Sequence, residues 1–320
     1  MNDRDLLLRL APGPCSGNAL AQAAGLTRAA VWKRIERLRE QGVAILADPG
    51  RGYLLPTPPD LLDATAIAAA VPAVVRDDLA ACEVVWEIDS TNAELLRRGA
   101  SAGVQALLAE RQSAGRGRRG RRWESPLAAH LYLSLQRRFE GGIAALAGLS
   151  IAVGVAAAEA LRGLGFAQVG LKWPNDLLAQ GRKLGGILIE FGGEEGGVVR
   201  VVIGIGINVR MPAVAAAGID QPWIDLAALA PSLPSRNAIA AAVLGAQLAA
   251  LREFAAGGLT PFLPRWQALD ACAGKPVEVL AGDRREAGIA LGIDASGALR
   301  VRHGDDERRY HSAEVSLRAR

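Results

Sequence analysis

Residues 115–123 read GRGRRGRRW, with five arginines (Arg116, Arg118, Arg119, Arg121 and Arg122) interrupted by Gly117 and Gly120. Glycines this frequent oppose a helix and weaken a strand, so the segment reads as a loop. Its guanidinium groups repel one another, and such a loop is expected to stay mobile until an anion arrives. Taken alone, it fits a nucleic-acid or solvated basic patch as well as a small anionic ligand. Before the loop, Gln105–Glu110 is a strand continuing through Arg111 and Gln112; beyond it, HLYLSLQ (130–136) is another.

Further out, Glu83–Ile88 alternates as a strand and runs into Asp89-Ser90-Thr91-Asn92, then a helix over Ala93–Arg98. Hydroxyl and amide side chains at such a junction suit a polar ligand, and equally serve as ordinary helix caps. Gly142–Leu164 reads as one long buried helix. Its uncharged part, Gly141–Ala158, is too rich in Gly and Ala for a membrane span, which needs ~20 strongly apolar residues. Leu171–Leu178, LKWPNDLL, places Pro174 and Asn175-Asp176 as a turn between apolar flanks, with Lys172, Asn175 and Asp176 on one corner. RKLGGILIE (182–190) runs from a basic turn into a buried strand, and VVRVVIGIGINV (198–209) is a strand with small residues before Asn208.

The chain of 320 residues suffices for two or three domains. A net charge of +4 is a mild bias toward anionic partners. Cys15, Cys82 and Cys272 are scattered and odd in number, so no disulfide framework or zinc spacing follows; a reducing cytoplasm fits. MNDRDLLLRL has too short an apolar run for a signal peptide, and no membrane association is expected.

At the N-terminus, Ser16 can cap a helix over Gly17–Ala24. Gly25-Leu26 turns the chain, and Thr27 caps a second helix with Val31, Ile35 and Leu38 on one face. Helix, glycine turn and basic helix make a helix-turn-helix. VAILADPGRGYLL adds a hairpin, the wing of a winged helix, with Arg51 at its tip. Thr27, Arg28, Ala29, Lys33, Arg34 and Arg51 are the DNA-contact candidates, and Arg37 and Arg39 add charge toward the phosphate backbone. Trp32 is bulky for a DNA-facing position. Winged helices also serve as protein-interaction modules, but the basic second helix favours DNA. Pro56, Pro58 and Pro59 mark a linker.

Two motifs fail. Gly115-x4-Gly120 has P-loop spacing, but Arg121-Arg122 stands where Lys-Ser/Thr is needed. Gly204-Ile-Gly206 lacks the third glycine of a dinucleotide site. GRGRRGRRW, KWPNDLL, GRKLGGILIE and GIGIN, in this order, resemble a biotin–protein ligase. The winged helix in front makes the whole chain resemble the bifunctional form that also represses biotin genes.

The resemblance implies an α/β (α+β) multidomain protein. Its parts are a winged helix-turn-helix (1–60), a central mixed α/β catalytic domain related to class II aminoacyl-tRNA synthetases (61–270), and a C-terminal SH3-like β-barrel (271–320). PVEVL, GIALGI and ALRVRH supply the short strands of the barrel. It implies the cofactors biotin, ATP and Mg²⁺, and an acceptor lysine on the biotin carboxyl carrier protein. Further partners are operator DNA and, when the adenylate is bound, a second copy of the chain. Carried over by motif, Ser90, Thr91, Asn92, Gln112, Arg116, Gly117, Arg118 and Lys183 contact biotin. Arg119, Arg121, Trp123, Lys172, Asn175 and Asn208 serve ATP and the adenylate. Lys183, Arg118 and Asp176 are the catalytic candidates, with Asp176 orienting the lysines or lying near Mg²⁺; no metal site is expected from protein groups alone. The alternatives are a non-catalytic biotin-sensing transcription factor, a ligase whose winged helix no longer binds an operator, and a lipoate ligase, against which the arginine loop speaks.

Overall fold

The structure, a computed structural model, describes residues 1–99, 101–281, 284–311 and 316–319. Helix α1 (Asp3–Leu10) opens with a capping box between Asn2 and Asp5. Helix α2 (Gly17–Ala24) is capped by Ser16 and α3 (Arg28–Glu40) by Thr27, whose hydroxyl accepts from Ala30 N at 3.2 Å. Strands β1 (Leu46–Asp48) and β2 (Gly52–Leu54) form the wing hairpin. Val31, Ile35 and Leu38 are buried, as the sequence predicted. They meet Leu6, Leu7 and Leu10 of α1, a helix the sequence reading lacked.

After the proline segment come α4 (Ala64–Ala70), α5 (Ala73–Arg76) and a seven-stranded sheet. Its strands are β3 (Leu79–Ile88), β4 (Val104–Gln112), β5 (Leu131–Glu140), β6 (Val169–Lys172), β7 (Asp176–Ala179), β8 (Arg182–Glu195) and β9 (Val198–Ile207). The spatial order is β3-β4-β5-β9-β8-β7-β6. Neighbours β3 and β4 are parallel, joined through α6 (Thr91–Arg98), and the other neighbours pair antiparallel.

Side-chain alternation divides the sheet into two faces. Leu131, Leu133 and Leu135 of β5, with Ile203, Ile205 and Ile207 of β9, join the main core with α7 (Leu149–Gly163) and α9 (Arg236–Gly257). The intervening residues, among them Ser134, Gly204 and Gly206, lie on the face that carries α6 and the cleft described below. Two stretches, Ile143–Gly163 and Arg236–Gly257, are long and apolar enough to cross a bilayer, but their apolar side chains are used in this core.

The expected single helix over 142–164 is broken. Ile143–Leu146 is a short 3₁₀ turn, the chain bends at Gly148 (φ 83°), and α7 starts at Leu149. A Cβ at Gly148 would lie 2.6 Å from Leu259 Cδ2, so tertiary packing sets the break.

Helices α8 (Ala213–Ala216) and α10 (Leu263–Leu269) complete the central part. Beyond it, β10 (Pro276–Ala281), β11 (Arg284–Ile293), β12 (Leu299–His303), β13 (Asp306–Tyr310) and β14 (Ser316–Ala319) form an antiparallel sheet in the order β13-β12-β11-β10-β14, consistent with the SH3-like expectation. Trp173 Nε1 donates to Gly297 O at 3.0 Å and Ala271 N to Leu171 O at 2.8 Å, tying this sheet and the segment leading to it to the KWPND corner.

Candidate active site

The residues expected at biotin and at the nucleotide all line one cleft of about 690 Å³. Its two ends differ in chemistry. One is a polar recess where the strand-to-helix junction meets β5 and β8. Thr91 N donates to Gln112 Oε1 at 2.9 Å, Ser134 Oγ lies 2.6 Å from both Thr91 Oγ1 and Asn92 Oδ1, and Asn92 Nδ2 reaches Glu190 at 2.8 Å. Ser90 caps α6 through its oxygen (Ala93 N, 3.4 Å), so its hydroxyl proton is not consumed by the cap. The cap and ligand readings of this junction are thus compatible.

The other end is cationic. Lys172 and Lys183 each place an ammonium 2.8 Å from Asp176. Burial pushes the Asp176 carboxyl up, but the two lysines outweigh it and hold it below the ordinary carboxylate range. The two ion pairs use different carboxylate oxygens, so Asp176 orients the lysines. Each oxygen keeps a further lone pair beyond its lysine. Among the described residues no three His, Cys, Asp or Glu side chains gather as a metal cage.

The arginine loop closes over the cleft. Trp123 N donates to Gly115 O at 2.9 Å and Gly117 N to Arg121 O at 2.7 Å, around a 3₁₀ turn at Arg118–Gly120. Internal acceptors meet two of its arginines. Glu190 takes Arg116 at 3.0 Å and Asn175 Oδ1 takes Arg118 at 3.1 Å. Burial, with Arg119 and Arg121 nearby, lowers the proton affinity of Arg118, and the Asp176 charge partly restores it.

Between the two ends lies the Trp123 indole, against Gly206 of β9 and Gly186 of β8, with the Lys183 ammonium 5.6 Å from the ring centroid. Trp123 Nε1 is buried against Gly206 with no hydrogen-bond partner among the described residues. Asn208 is committed otherwise: its Nδ2 donates to Ile224 O at 3.1 Å. Lys183 N donates to Pro222 O at 3.0 Å and Ile224 N to Lys183 O at 2.9 Å, so the Pro222–Ile224 segment is laced to β8.

Three contributors escaped the sequence reading: Ser134, Glu190 and the Pro222-Trp223 segment. The first two had a signal, since alternation from the buried Leu133 and the half-buried Ile189 turns Ser134 and Glu190 to the other face. The third had none, because its pairing with Lys183 is long-range.

On the winged helix, Arg28, Ala29, Trp32 and Lys33 form an exposed stripe, with Trp32 52% exposed, and Arg51 stands out at the wing tip. Arg34 and Arg37 instead turn onto the buried Asp3 (3.2 and 2.5 Å), and Arg39 binds Glu36 and Ile45 O. The segment after the arginine loop packs on this part of the chain. Four residues after Trp123, Leu127 enters the winged-helix core, its N–H donating to Gln41 O at 3.3 Å.

Comparison with known proteins agrees with this arrangement. Residues 87–208 match the biotin/lipoate A/B protein ligase family, 4–54 an HTH domain and 273–318 the biotin protein ligase C-terminal domain. The chain is 43% identical to the bifunctional ligase/repressor BirA of Escherichia coli K12 over 305 residues, covering 95% of this chain and 93% of that protein. It is 30% identical to the bifunctional ligase/repressor BirA of Bacillus subtilis, covering 94% and 93%. Its fold resembles the biotin protein ligase of Aquifex aeolicus in complex with biotin and ATP, with a TM-score of 0.65, 28% identity, and coverage of 76% of this chain and 99% of that one.

Proposed function

The chain belongs to the biotin–protein ligase family in its bifunctional ligase/repressor form, and from that premise we propose how its own residues perform the activity. Biotin reacts with ATP to give biotinyl-5′-AMP and pyrophosphate. The biotinyl group then passes to a lysine of the biotin carboxyl carrier protein of acetyl-CoA carboxylase, and AMP leaves. In the first step a carboxylate oxygen bonds to the α-phosphorus and the bond to the bridging oxygen of pyrophosphate breaks. In the second the lysine amine attacks the acyl carbon, the acyl–oxygen bond to AMP breaks and the amine loses a proton.

The first step brings a carboxylate to a polyanion. Two unit like charges at 4 Å repel by about 4 kcal/mol at an effective dielectric of 20, so fixed cations are required. Lys183 supplies one, held by Asp176 at 2.8 Å and placed between the recess and the nucleotide end. Lys172, Arg119 and Arg121 line the nucleotide side, with Asn175 and Asn208 holding the loops that frame it. The recess takes biotin's ureido ring: the Ser90 proton suits its carbonyl, and Thr91, Asn92 and Gln112 complete the polar wall. Arg116, Gly117 and Arg118 cover the ligand and keep water from the mixed anhydride. Mg²⁺ enters on the ATP phosphates, which need few protein ligands.

The single observation that carries this reading is that one cleft joins a polar recess of Ser90, Thr91, Asn92 and Gln112 to a cationic end where Asp176 holds Lys172 and Lys183 at 2.8 Å. A ligand that spans both needs hydrogen-bonding groups at one end and negative charge at the other. Biotin-dependent pyrophosphate release without a carrier protein tests it.

For the second activity, adenylate that orders the cleft loops favours a homodimer, and two winged helices then meet paired half-sites of operator DNA through Arg28, Ala29, Lys33 and Arg51. Thr27 caps α3, and Arg34 supports it through Asp3 rather than facing DNA. The parts divide as 1–60, 61–270 and 271–320, and the substrates fit a cytoplasmic protein. Operator affinity that does not change with biotin and ATP would refute the coupling.

A further inference from the structure

We propose that Glu190 is a positioning residue for biotin: through Asn92 and Arg116 it sets the direction in which the hydrogen bonds of the recess run. This rests on the recess being the biotin end of the cleft. Glu190 reaches the recess from β8, with Asn92 Nδ2 at 2.8 Å and Arg116 at 3.0 Å on its carboxylate. A carboxylate only accepts, and so does the Leu188 carbonyl, 3.2 Å from the same Asn92 nitrogen. Two acceptors on one side force the Asn92 amide to turn its nitrogen to β8 and its oxygen inward.

The consequence passes along the chain. Asn92 Oδ1 lies 2.6 Å from Ser134 Oγ, so the single Ser134 proton goes there. Ser134 Oγ is also 2.6 Å from Thr91 Oγ1 and has no second proton to give, so it accepts from Thr91. Gln112 Oε1 is fixed as an acceptor by Thr91 N, so Thr91 O–H faces acceptors on both sides, Ser134 at 2.6 Å and Gln112 at 3.1 Å. The hydrogen bonds run from Thr91 to Ser134 to Asn92 to Glu190, and the Thr91 lone pairs remain for a ligand N–H.

Thr91, Asn92 and Ser134 are all buried, so solvent cannot repair a reversed chain. Space for Asn92 is also dedicated: a Cβ on Gly204 would lie 2.5 Å from its Oδ1. A cyclic urea brings one carbonyl and two N–H groups, matching a donor at Ser90 and an acceptor at Thr91. With a neutral amide at position 190, the Asn92 amide can flip; Ser134 then points its proton at Thr91, Thr91 O–H turns to Gln112 Oε1, and the ureido N–H meets one Thr91 lone pair instead of two.

The test is steady-state pyrophosphate release at saturating Mg-ATP with biotin varied, on the full chain. Glu190→Gln should raise the KM for biotin about tenfold while kcat changes less than twofold. Glu190→Asp, which keeps the acceptor-only group, should recover most of that loss. In an Asn92→Ala background, Glu190→Gln should add less than threefold, since Glu190 then has no amide to orient. An unchanged KM for biotin in Glu190→Gln overturns the proposal. So does an effect of full size in the Asn92→Ala background, or equal loss in Glu190→Gln and Glu190→Asp with matching falls in melting temperature, which marks a structural role. If the unmodified protein releases no pyrophosphate in response to biotin, the ligase reading fails first, and that result is read before any variant is made.

Discussion

Gly206→Ala perturbs the centre of the cleft with one methyl group. The added Cβ would sit 2.7 Å from Trp123 Cε2, 2.8 Å from Cζ2 and 2.9 Å from Nε1. Carbon–carbon contacts are comfortable at about 3.5–4.0 Å, so the indole must retreat by roughly 0.7–1 Å. Retreat is restricted, because Gly186 and the Lys183 side chain border the same ring. Overpacking of this size costs about 1–3 kcal/mol, which is roughly 5- to 150-fold in an equilibrium constant. The cost falls on the nucleotide side: the KM for ATP should rise at least fivefold in pyrophosphate-release assays while the KM for biotin changes less than threefold. Gly204→Ala, two residues back on the same strand face, would collide with Asn92 Oδ1 at 2.5 Å and should show the opposite pattern. An unchanged KM for ATP in Gly206→Ala, or the same pattern in both variants, would refute the placement of the indole between the two ends.

Other consequences are separable. Lys183→Ala should mainly slow adenylation, by ~100-fold or more, whereas Arg118→Ala should shorten the half-life of the retained adenylate; equal retention by Arg118→Ala and the unmodified protein would end the role of the loop as a lid. Burial holds the imidazole of His130 down at about 3, with Arg236 adding to burial and the Ala129 carbonyl opposing it. The folded value lies below the unfolded one, so the unfolded chain takes up the proton first. Stability is complete above about pH 6.5 and falls by about 1.4 kcal/mol per pH unit below it, toward pH 3. His130→Gln should flatten melting temperature against pH between 6.5 and 4.5, and an unaltered slope would count against this origin. Arg28→Ala and Arg51→Ala should each reduce the salt dependence of operator binding by about one unit of slope, while Arg34→Ala should act by destabilising the winged helix it braces through Asp3.

What the sequence made legible was local. Short apolar runs on either side of the arginine loop placed its strands, and the caps at Ser16 and Thr27 placed the two helices of the helix-turn-helix. The cleft residues were reached through motifs at turns, where a few neighbouring residues set the geometry. What remained hidden depended on partners far away in the chain. Gly148 breaks a helix because Leu259 packs there, Arg34 is withdrawn from the DNA-facing stripe by Asp3, and the Asp176 oxygens are claimed by Lys172 and Lys183 together. The acceptors that Arg116 and Arg118 meet belong with these, since Glu190 and Asn175 lie far from the loop in the chain.

The measurement that bears most directly on the central claim is pyrophosphate release on mixing the purified protein with biotin and Mg-ATP and no carrier protein. A burst near one equivalent per chain, followed by a slow phase, is the expected result, because the adenylate forms once and is held under the arginine loop. Biotin binding without pyrophosphate release would contradict it and leave a non-catalytic sensor whose working part is the winged helix.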